Sequence, residues 1–229
     1  MDLSARLNMV AAMVKPCDFL ADIGTDHAYL PIYLYKKGVI KYAVAADISK
    51  GSCDKAKGNI NLHGLNNYID VRCGNGLEVI RENEQPDVIV IAGMGGMLAI
   101  DVLNSGKCTV NTSQLILQVQ RDIDRVRRYI HSIGYKIEAE DILKEDGKIY
   151  TAISAVRGED AVYTEGDYYF GKLLIESKNP ILKEYIEFEH NKLNRVLSSL
   201  NGKNTEEINA RRRELGRRID IQEEVLKCL

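Results

Sequence analysis

Three glycine-bearing turns, each at the end of an apolar run, carry the residues with the most chemistry in this chain: Gly24-Thr25-Asp26-His27, Gly74-Asn75-Gly76-Leu77 and Gly93-Met94-Gly95-Gly96. A further apolar run, Tyr42 to Ala46, ends in Asp47. Asp47 follows Gly24 by about 20 residues, the interval at which a carboxylate receives the two hydroxyls of a ribose. Its strand-end position argues against a plain surface aspartate. Gly24 lets the backbone turn sharply and come close to a ligand. The helix after it directs free N–H groups back at the turn. One such turn is weak evidence. Three of them with an acid, in this order, point to a ligand that carries a nucleoside.

The first turn narrows the ligand class. A dinucleotide fingerprint places glycines at Gly-x-Gly-x-x-Gly to receive a pyrophosphate. Here Gly24-Thr25-Asp26-His27-Ala28-Tyr29 has one glycine and a carboxylate, which would repel a pyrophosphate. The loop suits a cation instead, and S-adenosylmethionine, with its sulfonium and ammonium groups, is the nucleoside cofactor of that kind. Asp22 and Asp26 meet the positive charge, directly or through water, with Gly24, Thr25, His27 and Ala28 completing the loop. Asp47 and Ile48 face the ribose and its base. Asn75 hydrogen-bonds an adenine edge, Gly76 and Leu77 lie against its face, and Gly93, Met94 and Gly95 close the far side.

These turns need a sheet to hold them. Residues 3–15 have helical spacing (Leu3, Leu7, Met9, Val10, Met13, Val14). Phe19, Leu20, Ala21 and Ile23 form a strand buried on both faces. A helix over Leu30 to Lys37 precedes the second strand, Tyr42 to Ile48. A third helix, Ser49 to His63, has Ser49 as N-cap and Gly64 as its stop. Asp70 to Cys73 is a third strand, with a short helix from Leu77 to Arg81. Asp87 to Ala92 is the strongest strand, followed by a helix through Leu103. Gln114 to Val119 is the fifth strand, and Arg121 to Ile133 a basic amphipathic helix. Tyr135 to Ile142 and Lys148 to Val156 form an antiparallel hairpin, signalled by Asp146-Gly147. Alternating strands and helices predict a doubly wound α/β sheet with a terminal hairpin over residues 1–157.

A composition shift at Gly158-Glu159-Asp160 opens a second domain, 160–229. Leu182, Ile186, Glu189, Leu193, Val196 and Leu200 follow alternating three and four spacing, as do Ile208, Arg212, Leu215, Ile219, Gln222, Leu226 and Leu229. The two runs predict an antiparallel coiled-coil hairpin, its turn at Asn201 to Asn204 and a capping box from Asn204 to Glu207.

Composition bounds the rest. The chain has 229 residues, formal net charge -2, 45% hydrophobic and 28% charged residues. That is an ordinary globular balance and argues against a uniformly basic nucleic-acid binder, though not against local basic patches. No apolar run approaches the ~20 residues of a membrane span. The N-terminus lacks a signal-peptide layout. Cys17, Cys53, Cys73, Cys108 and Cys228 are scattered, so no metal site or disulfide framework is expected, and a cytoplasmic location fits. Oligomeric state is left open, a monomer being compatible.

The run Asp22-Ile23-Gly24-Thr25-Asp26-His27-Ala28-Tyr29-Leu30-Pro31, with Ala92-Gly93-Met94-Gly95-Gly96 and Glu145-Asp146-Gly147-Lys148-Ile149-Tyr150, resembles the bacterial tRNA (adenine(22)-N1)-methyltransferase family over roughly the whole chain. The resemblance implies a class I methyltransferase fold, S-adenosylmethionine as donor, tRNA as partner and adenine N1 as acceptor. Asp26 or His27 would then steady the charge that N1 methylation creates, although His27 also fits a loop-orienting role. Arg6, Gly96, Gln118, Arg121, Arg125 and Tyr150 would lie on the substrate side, with Arg127, Arg128 and the cluster Arg211, Arg212, Arg213, Arg217 and Arg218 as further phosphate contacts or solvated faces. The chain departs from the family pattern at Leu117-Gln118-Val119-Gln120, where the family has Leu-Gln-Pro-Asn. A methyltransferase for another RNA or a small molecule, and a non-catalytic S-adenosylmethionine-binding RNA adaptor, are the alternatives.

Overall fold

The computed structural model describes residues 2–200, 202 and 205–229. The chain divides into two compact units, Met1–Asp160 and Ala161–Leu229. In the first, α1 (Ala5–Met13), β1 (Cys17–Ile23), α2 (Tyr29–Lys36), β2 (Ile40–Asp47), α3 (Lys50–Leu62) and β3 (Ile69–Cys73) lead to β4 (Val88–Met94), α4 (Gly96–Ser105), β5 (Gln114–Val119), α5 (Ile123–Ser132), β6 (Tyr135–Glu145) and β7 (Lys148–Arg157). The seven strands lie in the order β3-β2-β1-β4-β5-β7-β6. The first five are parallel, and β7 runs antiparallel to both β5 and β6. This is the doubly wound sheet that the alternating strands and helices predict, closed by an antiparallel hairpin. Its order reverses between β1 and β4, and ligands of such sheets bind outside the carboxyl ends at that reversal.

The sequence dictates this layering. Val88, Ile89, Val90 and Ile91 of β4 and all six residues of β5 are buried, so both faces of the central strands must be covered by helices. Each Val or Ile taken from water contributes ~1.5–3 kcal/mol. The β4–β5 ladder skips a residue between Ala92 and Met94, where Gly93 has φ +86°. That irregularity re-aims the strand end at the site. The hairpin turns on Asp146 and Gly147, with φ of 50° and 73°, the two left-handed residues that match the twist of the flanking strands. Its strands therefore stay paired as far as Glu145 and Lys148, beyond the expected end at Ile142. The expected short helix at Leu77 is a single 3-10 turn over Gly76–Val79.

The second unit contains α6 (Glu165–Phe170), α7 (Lys172–Glu176), α8 (Pro180–Ser199) and α9 (Glu206–Leu226). The long helices pack through Leu193, Leu215 and Ile219, with Leu197 and Leu200 alongside. Val196, expected in this seam, is 38% exposed. At 3.6 residues per turn, the step beyond Leu193 that stays on the buried face is four, to Leu197. Thr205 caps α9, its side chain accepting the Ile208 N–H; the expected box at Asn204 lies outside the described residues. The short helices α6 and α7 offered no periodicity, but α6 carries a complete capping box between Thr164 and Asp167. Among the described residues, no helix is long and apolar enough to cross a membrane.

Candidate cofactor and substrate site

Asp22 is the penultimate residue of β1, paired with Ala45 on one side and Val90 on the other. Its carboxyl is buried in the middle of the sheet. Burial pushes its pKa up to about 6, against a hydrogen bond with Thr25 and with help from the negative Asp47. The turn that follows is tightly closed: Gly24 and Thr25 both donate their N–H to the Ala46 carbonyl, at 2.8 and 2.9 Å. Thr25 Oγ1 accepts the Ala28 N–H at 3.1 Å. Gly24 has φ +84°, and a Cβ there would lie 2.6 Å from Met94 Cε. The Met94 side chain thus reaches the first turn from the end of β4. Ala28, a non-glycine residue at φ 55°, starts α2 from a strained left-handed conformation.

Asp26 and His27 face outward. Asp26 is bonded to Lys55 Nζ and to His27 Nε2, each at 3.1 Å. The Lys55 hydrogen bond holds the Asp26 carboxyl below the usual carboxylate range, aided by Ser52 and His27. The His27 ring stacks on Tyr29 with centroids 4.9 Å apart. Lys55 was not anticipated. Its only trace in the sequence is its place on the helix that starts just after Asp47.

Asp47 ends β2 half-buried, with Oδ1 accepting the Ser49 N–H at 2.7 Å. Its carbonyl accepts the Gly74 N–H at 3.0 Å, which ties the end of β2 to the second turn. Ile48 beside it is 73% exposed. Asn75 donates to Glu78 Oε1 at 3.0 Å, and Gly76 sits against Val102 at φ 51°. Leu77 corrects an expectation. Its side chain is 2% exposed and packs where a Cβ on Gly106 would stand, with Cδ1 2.5 Å from that point. It belongs to the core and offers no face to a base.

On the other side of the reversal, three residues from distant parts of the chain meet. Arg6 Nη1 donates to Gln118 Oε1 at 2.8 Å. The same guanidinium lies 5.8 Å from the centre of the Tyr150 ring and 3.1 Å from the Cβ position of Gly93. Gln118 is fully buried. Gln120 donates to the Gly93 carbonyl at 3.1 Å. Arg6 is therefore a reaching side chain, not a solvated helix face. Gly95 has open space around its Cβ position.

Gly96 is a packing residue, against the expectation of substrate contact. It is buried, and a Cβ would fall 2.5 Å from the Arg121 carbonyl oxygen and 2.9 Å from that of Asp122. Gly96→Ala should cost roughly 1–3 kcal/mol from overpacking against backbone, read by urea unfolding; an unchanged midpoint would contradict the close approach.

The arginines sort by burial. Arg121 and Arg125 are exposed, and Arg125 Nη1 lies 3.6 Å from Met97 Sδ. Arg127, expected on an accessible face, is buried in an ion pair with Glu140 at 2.7 Å. In the second unit, Arg211 pairs with Glu214 and Arg217 with Glu165, while Arg212 donates to the Leu200 carbonyl. Among the described residues, no cluster of three or more His, Cys, Asp or Glu could hold a metal ion.

This arrangement has counterparts. The chain is 35% identical to the tRNA (adenine(22)-N(1))-methyltransferase of Bacillus subtilis over 233 residues, 98% of this chain and 97% of that protein. The crystal structure of the B. subtilis M1A22 tRNA methyltransferase TrmK superposes with a TM-score of 0.91 at 33% identity, covering 98% of this chain and 99% of that one. The structure of M. capricolum TrmK in complex with the cofactor product S-adenosyl-homocysteine superposes with a TM-score of 0.90 at 29% identity, covering 99% and 98%. The profile of the tRNA (adenine(22)-N(1))-methyltransferase family matches residues 20–224. With the strand order, the acid-bearing turns and the match along nearly its whole length, the chain belongs to the tRNA (adenine(22)-N(1))-methyltransferase family.

Proposed function

We propose that this protein transfers a methyl group from S-adenosylmethionine to N1 of an adenine in tRNA, at the position that names its family. The observation that carries this reading is the buried Asp22 carboxyl, held with Asp47 behind the closed Gly24 turn. A buried acid with a pKa of about 6 is mostly ionised at pH 7, and a buried anion in that place is the complement of a cation. A side chain at Gly24 would fill the cradle, which ends at Met94 Cε. The residues present therefore fit the cofactor.

Asp22 would hold the ammonium end and Gly24, Thr25 and Ala28 the amino-acid backbone. Asp47 would receive the ribose, Ile48 and Gly76 would flank the adenine with Asn75 at its edge, and Gly93, Met94 and Gly95 would close the reactive side. When bound, S-adenosylmethionine supplies an electrophilic methyl on a cationic sulfur. Adenine N1 has a lone pair near neutral pH, so the chain's main task is orientation. The target base must leave its stack and be held by its edges. Tyr150, backed by Arg6, would stack on it. The Gly93 carbonyl, steadied by Gln120, keeps a second lone pair for the exocyclic amine. Gln118 anchors Arg6 rather than the base. Asp26, kept ionised by Lys55 and His27, would offset the charge left on the methylated ring. Arg121 and Arg125 would meet phosphates. The protein would act in the cytoplasm, with no residue assigned to a metal.

Incubation with unmodified tRNA and labelled methyl donor, followed by mass spectrometry of the digested RNA, tests the reading. N1-methyladenosine at position 22 is expected. Label at another base would move the acceptor, and tRNA binding without turnover would favour an adaptor. Separately, Asp47→Ala should weaken S-adenosylhomocysteine binding by roughly 1–3 kcal/mol, from loss of charge-assisted hydrogen bonds; equal affinity by calorimetry would remove Asp47 from the ribose site.

A further inference from the structure

The first turn of α4 carries two apolar side chains that the fold does not bury. Met97 is 41% and Leu98 55% exposed, whereas Ala99, Val102 and Leu103 form the inward face. The pair follows directly on the Gly93–Gly96 turn, so it stands at the carboxyl edge of the sheet beside the acceptor side of the site. Cations flank it. The Arg125 guanidinium touches Met97 Sδ at 3.6 Å. Arg121 is exposed and holds the start of the same helix, its carbonyl accepting the Gly96 N–H at 3.0 Å. An apolar tip with one guanidinium on it and a second exposed arginine at the start of its helix matches a stack of bases between its phosphates better than it matches a protein surface.

The chemistry needs such a device. N1 lies on the pairing edge of adenine, so a paired adenine must be extruded before N1 can react. Proteins that open a base stack insert apolar side chains such as Met and Leu between steps. We propose that Met97 and Leu98 form a wedge that enters the RNA stack beside the target adenine, while Arg121 and Arg125 hold the flanking phosphates. This rests on the RNA-methylation reading and extends it: the substrate adenine sits in a stacked stem, not in an open loop.

The test compares two RNA hairpins, with the target adenine paired in a stem or unpaired in a loop, each carrying 2-aminopurine next to the target. In the intact protein, binding with S-adenosylhomocysteine present should raise the fluorescence of the stem probe as the stack opens. In Met97→Ser/Leu98→Ser, and more weakly in Leu98→Ser alone, that rise should be lost. The stem-to-loop ratio of kcat/KM should fall by roughly tenfold or more, the scale of an unaided unstacking step. Met97→Leu/Leu98→Met should restore both. An unchanged ratio, or an unchanged fluorescence rise, overturns the wedge. If the intact protein methylates neither RNA, the methylation reading fails by itself. The wedge is then judged by fluorescence, and no rise with the intact protein sinks it.

Discussion

Arg127→Met should lower the unfolding free energy by about 3–5 kcal/mol, because it leaves the Glu140 carboxylate buried without its main counter-charge. The two side chains are 1% and 0% exposed and 2.7 Å apart, so water cannot take over the lost contact. Such a loss is a large part of the ~5–15 kcal/mol that holds a domain together. Urea unfolding followed by circular dichroism reads it, and a loss below about 1 kcal/mol would show that the pair is solvated. The double change Arg127→Met/Glu140→Leu should recover much of the deficit, since apolar volume replaces both charges.

Asp22→Asn should act in the opposite direction on the free protein. The Asp22 pKa is about 6 in the folded chain against a reference of 3.8. A carboxyl with a raised folded pKa favours folding fully below its unfolded pKa, and that contribution is lost as pH rises through about 6. The native protein therefore carries a cost at pH 7 of about 2–3 kcal/mol, at 1.36 kcal/mol per unit. The amide should remove most of it at pH 7 and change little at pH 4. Cofactor binding reports the other side of the same cost. Native affinity for S-adenosylhomocysteine should rise with pH up to about 6, by as much as about tenfold per unit, and then level, because the ammonium selects ionised Asp22. The variant should bind more weakly and without that slope. A native protein whose affinity is flat from pH 5 to 7 would remove Asp22 from contact with the ligand.

Much of the sheet was legible because strands buried on both faces must be continuous apolar runs. Val88 to Ile91 and Leu115 to Leu117 are such runs, and Asp146-Gly147 specified the hairpin chemically. Turn residues were harder. A glycine reads the same whether a ligand or a neighbouring carbonyl fills the space beside it, so Gly96 reads as a site residue; Leu77 reads as one only because it follows Gly76 in a turn, and spacing does not show that its side chain turns into the core. Arg6, Gln118 and Tyr150 were each expected on the substrate side. That Arg6 and Gln118 bond to each other, across 112 positions, leaves no mark in local spacing. Arg127 looked like its neighbours Arg125 and Arg128, because charge on a helix does not reveal which face a strand will cover. In the second unit, helix drift moved the seam from Val196 to Leu197.

The placing of β7 between β5 and β6 has a bearing on biosynthesis. During translation, β5 is made well before Lys148–Arg157 leaves the ribosome, and until then its outer backbone groups have no mate. A nascent chain stalled or cut short ahead of that segment leaves the outer edge of β5 unpaired, with Leu115, Ile116 and Leu117 at its centre, the kind of edge that recruits other unfinished chains. Products that end before residue 148 should therefore accumulate as insoluble material rather than as a smaller protein with partial activity.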